Sequence, residues 1–235
     1  MALVNQLKNK IPEILLTTLI FGLIGTGVYL NKYEEMQIDR SKLPKKVEDS
    51  NGFQRWITNL KNKDLVIEAD EFTMLEENEI YNTKWVKVYS IDDEVRKKEY
   101  DENIENKQNI KKVIFSPSGM QYLDYRPEIR DGYQPNEVHH YGVRDNQIID
   151  SRIVDCSIRA NCYFDRAWFL DNDVFVITEI SRNIDKKNTT TPICLPTETC
   201  TYTYKIHVVD LVRNSRLIYE SRPFETILEE LKPNL

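Results

Sequence analysis

Residues 14–31, from Ile14 to Asn31, carry no charge, and the chain after them is strongly polar. As a helix this run reaches about 27 Å, close to the hydrocarbon thickness of a bilayer, so the pattern predicts one transmembrane helix. Pro12 suits its first turn, and Tyr29, Lys32 and Tyr33 suit the interface at its far end. The competing readings are a cleaved signal peptide behind Lys8 and Lys10, and a buried core helix. Residues 1–13 then form a short tail, 32–49 a charged stalk containing Pro44, and 50–235 a soluble domain. Thr18, Gly22 and Thr26 recur every four residues, a small-residue face on which membrane helices pack.

Past the stalk, Phe53, Trp56, Ile57 and Leu60 mark the stripe of an amphipathic helix, with Ser50 or Asn51 to cap it. Phe224, Ile227, Leu228 and Leu231 repeat that spacing at the end of the chain and predict a second flanking helix. Between the two the period is two. Residues 65–72 and 84–91 read as strands around an acidic turn at Glu76, Glu77, Asn78 and Glu79, and 92–109 as a charge-dense insertion, helical or mobile. Hairpins follow at 113–115 with 121–125, 138–143 with 147–154, 167–170 with 174–180, and 201–212 with 217–220. In the last long strand Tyr202, Tyr204, Ile206 and Val208 alternate with Thr203, Lys205 and His207, predicting one buried and one wet face.

These hairpins repeat. The stretch from Ile114 through Ser116-Pro117-Ser118-Gly119 to Leu123 corresponds to that from Trp168 through Asp171-Asn172-Asp173 to Val176. Likewise His140-Tyr141-Gly142-Val143 with its return strand corresponds to His207-Val208-Val209-Asp210 with its own. Over residues 111–221 the pattern resembles blades of β-propellers of the WD40 or TolB-like kind, in which Phe-Ser-Pro-x-Gly turns and Val-x-Asp-Leu strands recur. That resemblance implies a rigid scaffold that binds through its loops and seldom performs chemistry. Propellers close with four or more blades, and two units fall short of a ring. The expected fold is therefore a mainly β domain of antiparallel four-stranded blade-like units, left open and covered by the two helices.

With 235 residues, 38 Asp plus Glu against 32 Lys plus Arg and a net charge of −6, the chain carries no general electrostatic footprint for nucleic acid. Its four cysteines, Cys156, Cys162, Cys194 and Cys200, form two pairs with equal gaps, as local disulfides in an exported domain would. Three connectivities are open, and zinc is the alternative, though its structural sites favour shorter gaps within a pair. The flanking charges point the other way. Lys32, Arg40, Lys42, Lys45 and Lys46 outnumber Lys8 and Lys10, which favours a cytoplasmic domain. The cysteines carry more weight, because a short weakly charged tail stays inside by default and large domains translocate regardless of charge.

Chemistry is scarce. His139 and His140 are neighbours that a strand turns to opposite faces, and His207 stands apart. No zinc-protease, nucleophile-elbow or phosphate-loop motif occurs. Asp171 and Asp173 read as a turn rather than a calcium loop, Trp56, Trp85 and Trp168 as core anchors, and Asn188-Thr189-Thr190 as a glycosylation acceptor if the host is eukaryotic. No catalytic, cofactor or metal residue is assigned. The expectation is a single-pass plasma-membrane protein, held in lipid by residues 14–31. Its extracytoplasmic domain binds a protein partner through loops 127–137 and 183–199. The alternatives are a membrane-tethered hydrolase, which a pocket joining Asp or Glu to a histidine would favour, and a cytoplasm-facing subunit of a membrane complex.

Overall fold

In the computed structural model the described residues are 26, 39–80, 85–127, 136–156, 159–185 and 193–232. They form eleven strands and four α-helices in a mainly β, antiparallel fold. The strands in chain order are β1 Thr73–Glu79, β2 Val86–Ser90, β3 Val113–Phe115, β4 Gln121–Asp124, β5 Glu137–Arg144 and β6 Gln147–Asp155. They continue with β7 Arg159–Phe169, β8 Val174–Asp185, β9 Thr199–Asp210, β10 Ser215–Glu220 and β11 Phe224–Ile227. The helices are α1 Lys45–Glu48, α2 Asn51–Lys61, α3 Glu94–Asn106 and α4 Leu228–Leu231.

The two repeats are two meanders. In the first sheet the order is β2-β6-β5-β4-β3, and in the second β1-β10-β9-β8-β7, with β11 pairing the start of β9. Each sheet thus holds four consecutive hairpin strands plus one earlier strand added beside its last member. Asp145 and Asn146 both take positive φ (49° and 59°) between β5 and β6, the two-residue reversal that suits the twist of a hairpin. The corresponding turns of the two meanders meet, where the Ser118 amide donates to Asn172 Oδ1 at 2.8 Å.

Two apolar layers hold the sheets. On one face of the second sheet lie Tyr202, Tyr204, Ile206 and Tyr219, covered by Phe53, Trp56 and Leu60 of α2. Ser50 caps α2 by accepting from the Phe53 amide at 3.2 Å, and Trp56 Nε1 donates to Asp165 at 2.8 Å. The opposite face presents Phe175, Ile177 and Val209 to Leu123, Val138 and Ile153 of the first sheet. On the outside of the first sheet α3 seats Tyr100 against Tyr141, ring centroids 5.9 Å apart, so the acidic insertion is helical.

Several expectations change. Residues 65–72 are not a strand: they hold a 3-10 turn at Ala69–Glu71 and two core anchors, Ile67 and Phe72, while the strand is the acidic run that follows. An edge strand with most side chains in water shows no alternation, so the period test passes over it. Nor do β1 and β2 pair with each other. Thr73 lies opposite Glu220 and Val86 opposite Ser151, one strand in each sheet. The predicted C-terminal helix is strand β11 followed by one turn, because Phe224 pairs with Tyr202 where β10 has ended. Strands β7 and β8 run further than their alternation suggests, since bulges after Ala160 and Phe164 shift the register. Part of the expected stalk belongs to the fold: Lys42 bridges Thr73, and Leu43 and Val47 are buried.

Among the described residues no helix is long and apolar enough to cross a membrane. The span at 14–31, with Thr18 and Gly22, lies outside them, and of the small-residue face only Thr26 is described, in an exposed helical position.

Candidate functional site

Strand β9 was expected to have a wet face, yet Lys205 and His207 are buried on the side that meets the first sheet. The register explains it. Val209 lies between Phe175 and Arg216, His207 between Ile177 and Ile218, and Lys205 between Glu179 and Glu220. Going along β9 from Val209 to Lys205, the inter-sheet core passes from apolar to charged. At the charged end Arg152, Ile153, Val154 and Asp155 of β6, together with Trp85, line a cleft of ≈ 610 Å³ with Glu76, Arg159, Lys205, His207, Arg216 and Ile218.

Behind the lining sits Glu179, fully buried, which Arg159 grips with two parallel bonds: Nη1 to Oε1 at 2.6 Å and Nη2 to Oε2 at 2.8 Å. His207 Nε2 lies 3.1 Å from Glu179 Oε2. Burial alone would push the Glu179 carboxyl up, but the bonds from His207 and Arg159 outweigh it and hold it well below the usual carboxylate range. Burial also lowers the His207 imidazole, against the opposing pull of Glu179, so the ring is neutral at pH 7. An ionised carboxylate only accepts, hence the ring proton sits on Nε2 and Nδ1 is a bare acceptor. That Nδ1 is buried and meets no hydrogen-bond partner among the described residues.

The cations differ in how they are compensated. Arg152 reaches Glu137 at 3.2 Å and Asp155 at 3.1 Å, and its guanidinium lies 3.6 Å over the Trp85 ring. Lys205 is 4.0 Å from Glu220. Arg216 instead donates Nη1 to the Ile153 carbonyl at 2.7 Å, tying the sheets together, while its Nε is buried without a partner among the described residues. No carboxylate of the described residues forms an ion pair with it.

Arg159 stands within the small loop closed by the Cys156–Cys162 disulfide, and Cys194–Cys200 is the second bond. All four candidate cysteines are thus joined as local pairs, at the end of β6 with β7 and at the start of β9. Asn161 on β7 clasps the second pair, donating to the Cys194 carbonyl at 2.8 Å and accepting its amide at 2.9 Å. Two sets of potential ligands, Cys156, Cys162 and Glu179, and Cys194, Glu198 and Cys200, consist largely of these sulfurs, which are already bonded to each other.

The remaining residues singled out in the sequence fall elsewhere. His139 faces Glu137 and Asp150, whereas His140 points between the sheets, 2.8 Å from Gln121 and stacked on Phe175, so the two do turn to opposite sides. Asp171 accepts from the amides of Asp173 and Val174 as a hairpin turn. Trp56 and Trp168 are core anchors, but Trp85 is 56% exposed at the cleft mouth. The glycosylation triplet, most of loop 127–137 and residues 186–192 of loop 183–199 lie outside the described residues. The cleft itself was missed. Its signal was present in Glu179, Lys205 and His207, charged or polar residues at core-facing positions of otherwise apolar strands.

No family model matches the chain, and comparison with curated proteins and with solved structures found no match. The propeller likeness therefore rests on the strand pattern.

Proposed function

We propose that the chain is a single-pass plasma-membrane protein, anchored through residues 14–31, whose β domain faces out of the cytoplasm and serves as a binding module. The uncharged run from Ile14 to Asn31 supports the anchor, and the two disulfides support export. The observation that carries the binding reading is the inter-sheet cleft lined by Arg159 and His207, both bonded to the buried Glu179 behind them. Buried charges cost several kcal/mol each to desolvate and are often replaceable by apolar groups without loss of stability. Such a network at a cleft is what a ligand site retains. A protein partner on the loops complements this reading.

Labelling intact cells with a membrane-impermeant maleimide is expected to modify the chain only after reduction. Labelling only after lysis, with no need of reductant, would overturn export. A hydrolase is the second reading, favoured by His207 sharing the cleft with Glu76 and Asp155. Against it, His207 is fixed on Glu179, and among the described residues no Ser, Thr or free Cys lines the cleft. Aryl ester and glycoside substrates are expected to stay intact with the purified chain; turnover lost on Glu76→Gln or Asp155→Asn would establish the enzyme instead.

A further inference from the structure

We propose that the cleft receives a small hydroxy-carboxylate, its carboxylate taken by the Arg216 guanidinium and its hydroxyl donated to Nδ1 of His207. The inference rests on the binding reading of the cleft and deepens it, but is independent of the membrane tether.

Two partnerless polar atoms define the ligand. Arg216 Nε is a buried donor on a side chain that stays charged even where burial lowers its pKa. Glu76 and Glu179 act on it only through space, not as ion-pair partners, so an anion brought by a ligand fills a vacant role. His207 Nδ1 is the complementary case, a lone pair that the Glu179 contact prevents from carrying the proton. A bare anion placed there would meet repulsion, so the ligand must bring a hydrogen-bond donor beside its negative charge.

The two atoms belong to one neighbourhood. His207 is directly opposite Ile218, and Arg216 is two residues before Ile218 on the same face of β10. Such diagonal neighbours are about 7–8 Å apart at the backbone, within joint reach of a carboxylate and an adjacent hydroxyl.

Charge sets the valence. Arg159 is committed to Glu179, Arg152 to Glu137 and Asp155, and Lys205 has Glu220 near it. Among the described residues one cation of the lining, Arg216, is left without an ion-pair partner, and Glu76 and Asp155 sit in the lining, so a monoanion fits better than a phosphate dianion. Ile153, Val154 and Ile218 supply apolar surface for a short carbon skeleton, and the exposed Trp85 borders the mouth.

The test is isothermal titration of the full chain in detergent micelles with glycolate, D-glucuronate, acetate and inorganic phosphate. Glycolate or glucuronate is expected to saturate at one site, with acetate about tenfold weaker for want of the hydroxyl bond and phosphate not saturating. Preference for glucuronate over glycolate supports a sugar acid as the source, and the reverse supports a free hydroxy acid. Arg216→Gln is expected to weaken glycolate about tenfold or more, and Arg216→Lys, which keeps the charge but lacks Nε–H, by less. His207→Gln preserves an amide for Glu179 but has no acceptor at the Nδ1 position, so glycolate and acetate should become equal. Urea midpoints certify that each variant is folded. Equal binding of acetate and glycolate by the unaltered chain, unchanged glycolate affinity in folded Arg216→Gln, or no saturation by any hydroxy-carboxylate overturns the proposal. The maleimide result is untouched by these outcomes.

Discussion

At the scale of single residues, the side chains set between the sheets make stability depend on pH. His140 is completely buried, and burial lowers its imidazole to about 4 from an ordinary 6.5. The unfolded chain therefore takes up this proton at higher pH than the folded one, and stability falls as pH drops from 6.5 toward 4, by about 3 kcal/mol over that window. His207 is shifted in the same direction. Glu179 adds to the effect below its ordinary range: its lowered carboxyl contributes stability that is complete above its unfolded pKa of about 4.3 and is lost as acid protonates it. His140→Gln, which preserves an amide for Gln121, is expected to flatten the fall between pH 6.5 and 4 by about 3 kcal/mol in urea unfolding followed at several pH values. An unchanged slope would show that this ring does not govern the transition.

At the scale of elements, what could be read in advance was whatever declared itself by period. Helix α2 announced itself through the Phe53, Trp56 and Leu60 stripe and the Ser50 cap, and the hairpins through their turn residues. The local pairing of cysteines was one of three possibilities, because spacing alone does not choose among them. Strand β1 was hidden because its exposure removes alternation, and β11 because four paired residues also fit a helical stripe. The cleft was hidden for a different reason. Lys205 and His207 look like a solvated face until a second sheet is known to lie over them. Contacts between elements distant in sequence likewise set the cost of changes inside an element. A Cβ on Gly52 in the first turn of α2 would stand 2.3–2.6 Å from the Trp168 indole, which is itself bonded to Ser50. Gly52→Ala, which would gain about 1 kcal/mol in an exposed helix, is expected here to lower stability by about 1–2 kcal/mol, as a lower urea midpoint reports. A raised midpoint would mean the indole swings aside freely.

At the scale of the whole molecule, the Cys156–Cys162 bond lies where the chain leaves the first sheet for the second, with Arg159 inside its ring. Closing so short a loop contributes about 2 kcal/mol, so replacing both cysteines by Ser should lower stability by that amount, as thermal or urea unfolding measures. Because Arg159 is released with it, glycolate binding should weaken as well. The same replacement at Cys194 and Cys200 is expected to cost similar stability and leave the titration unchanged. Strand β1 sits beside β10 while β2 sits beside β6. A protease that nicked the backbone between Cys156 and Arg159, followed by full reduction, would thus yield two fragments, of which the front one still lends a strand to the rear one's sheet. Under native conditions they should travel as one particle, parting only when that borrowed strand peels away.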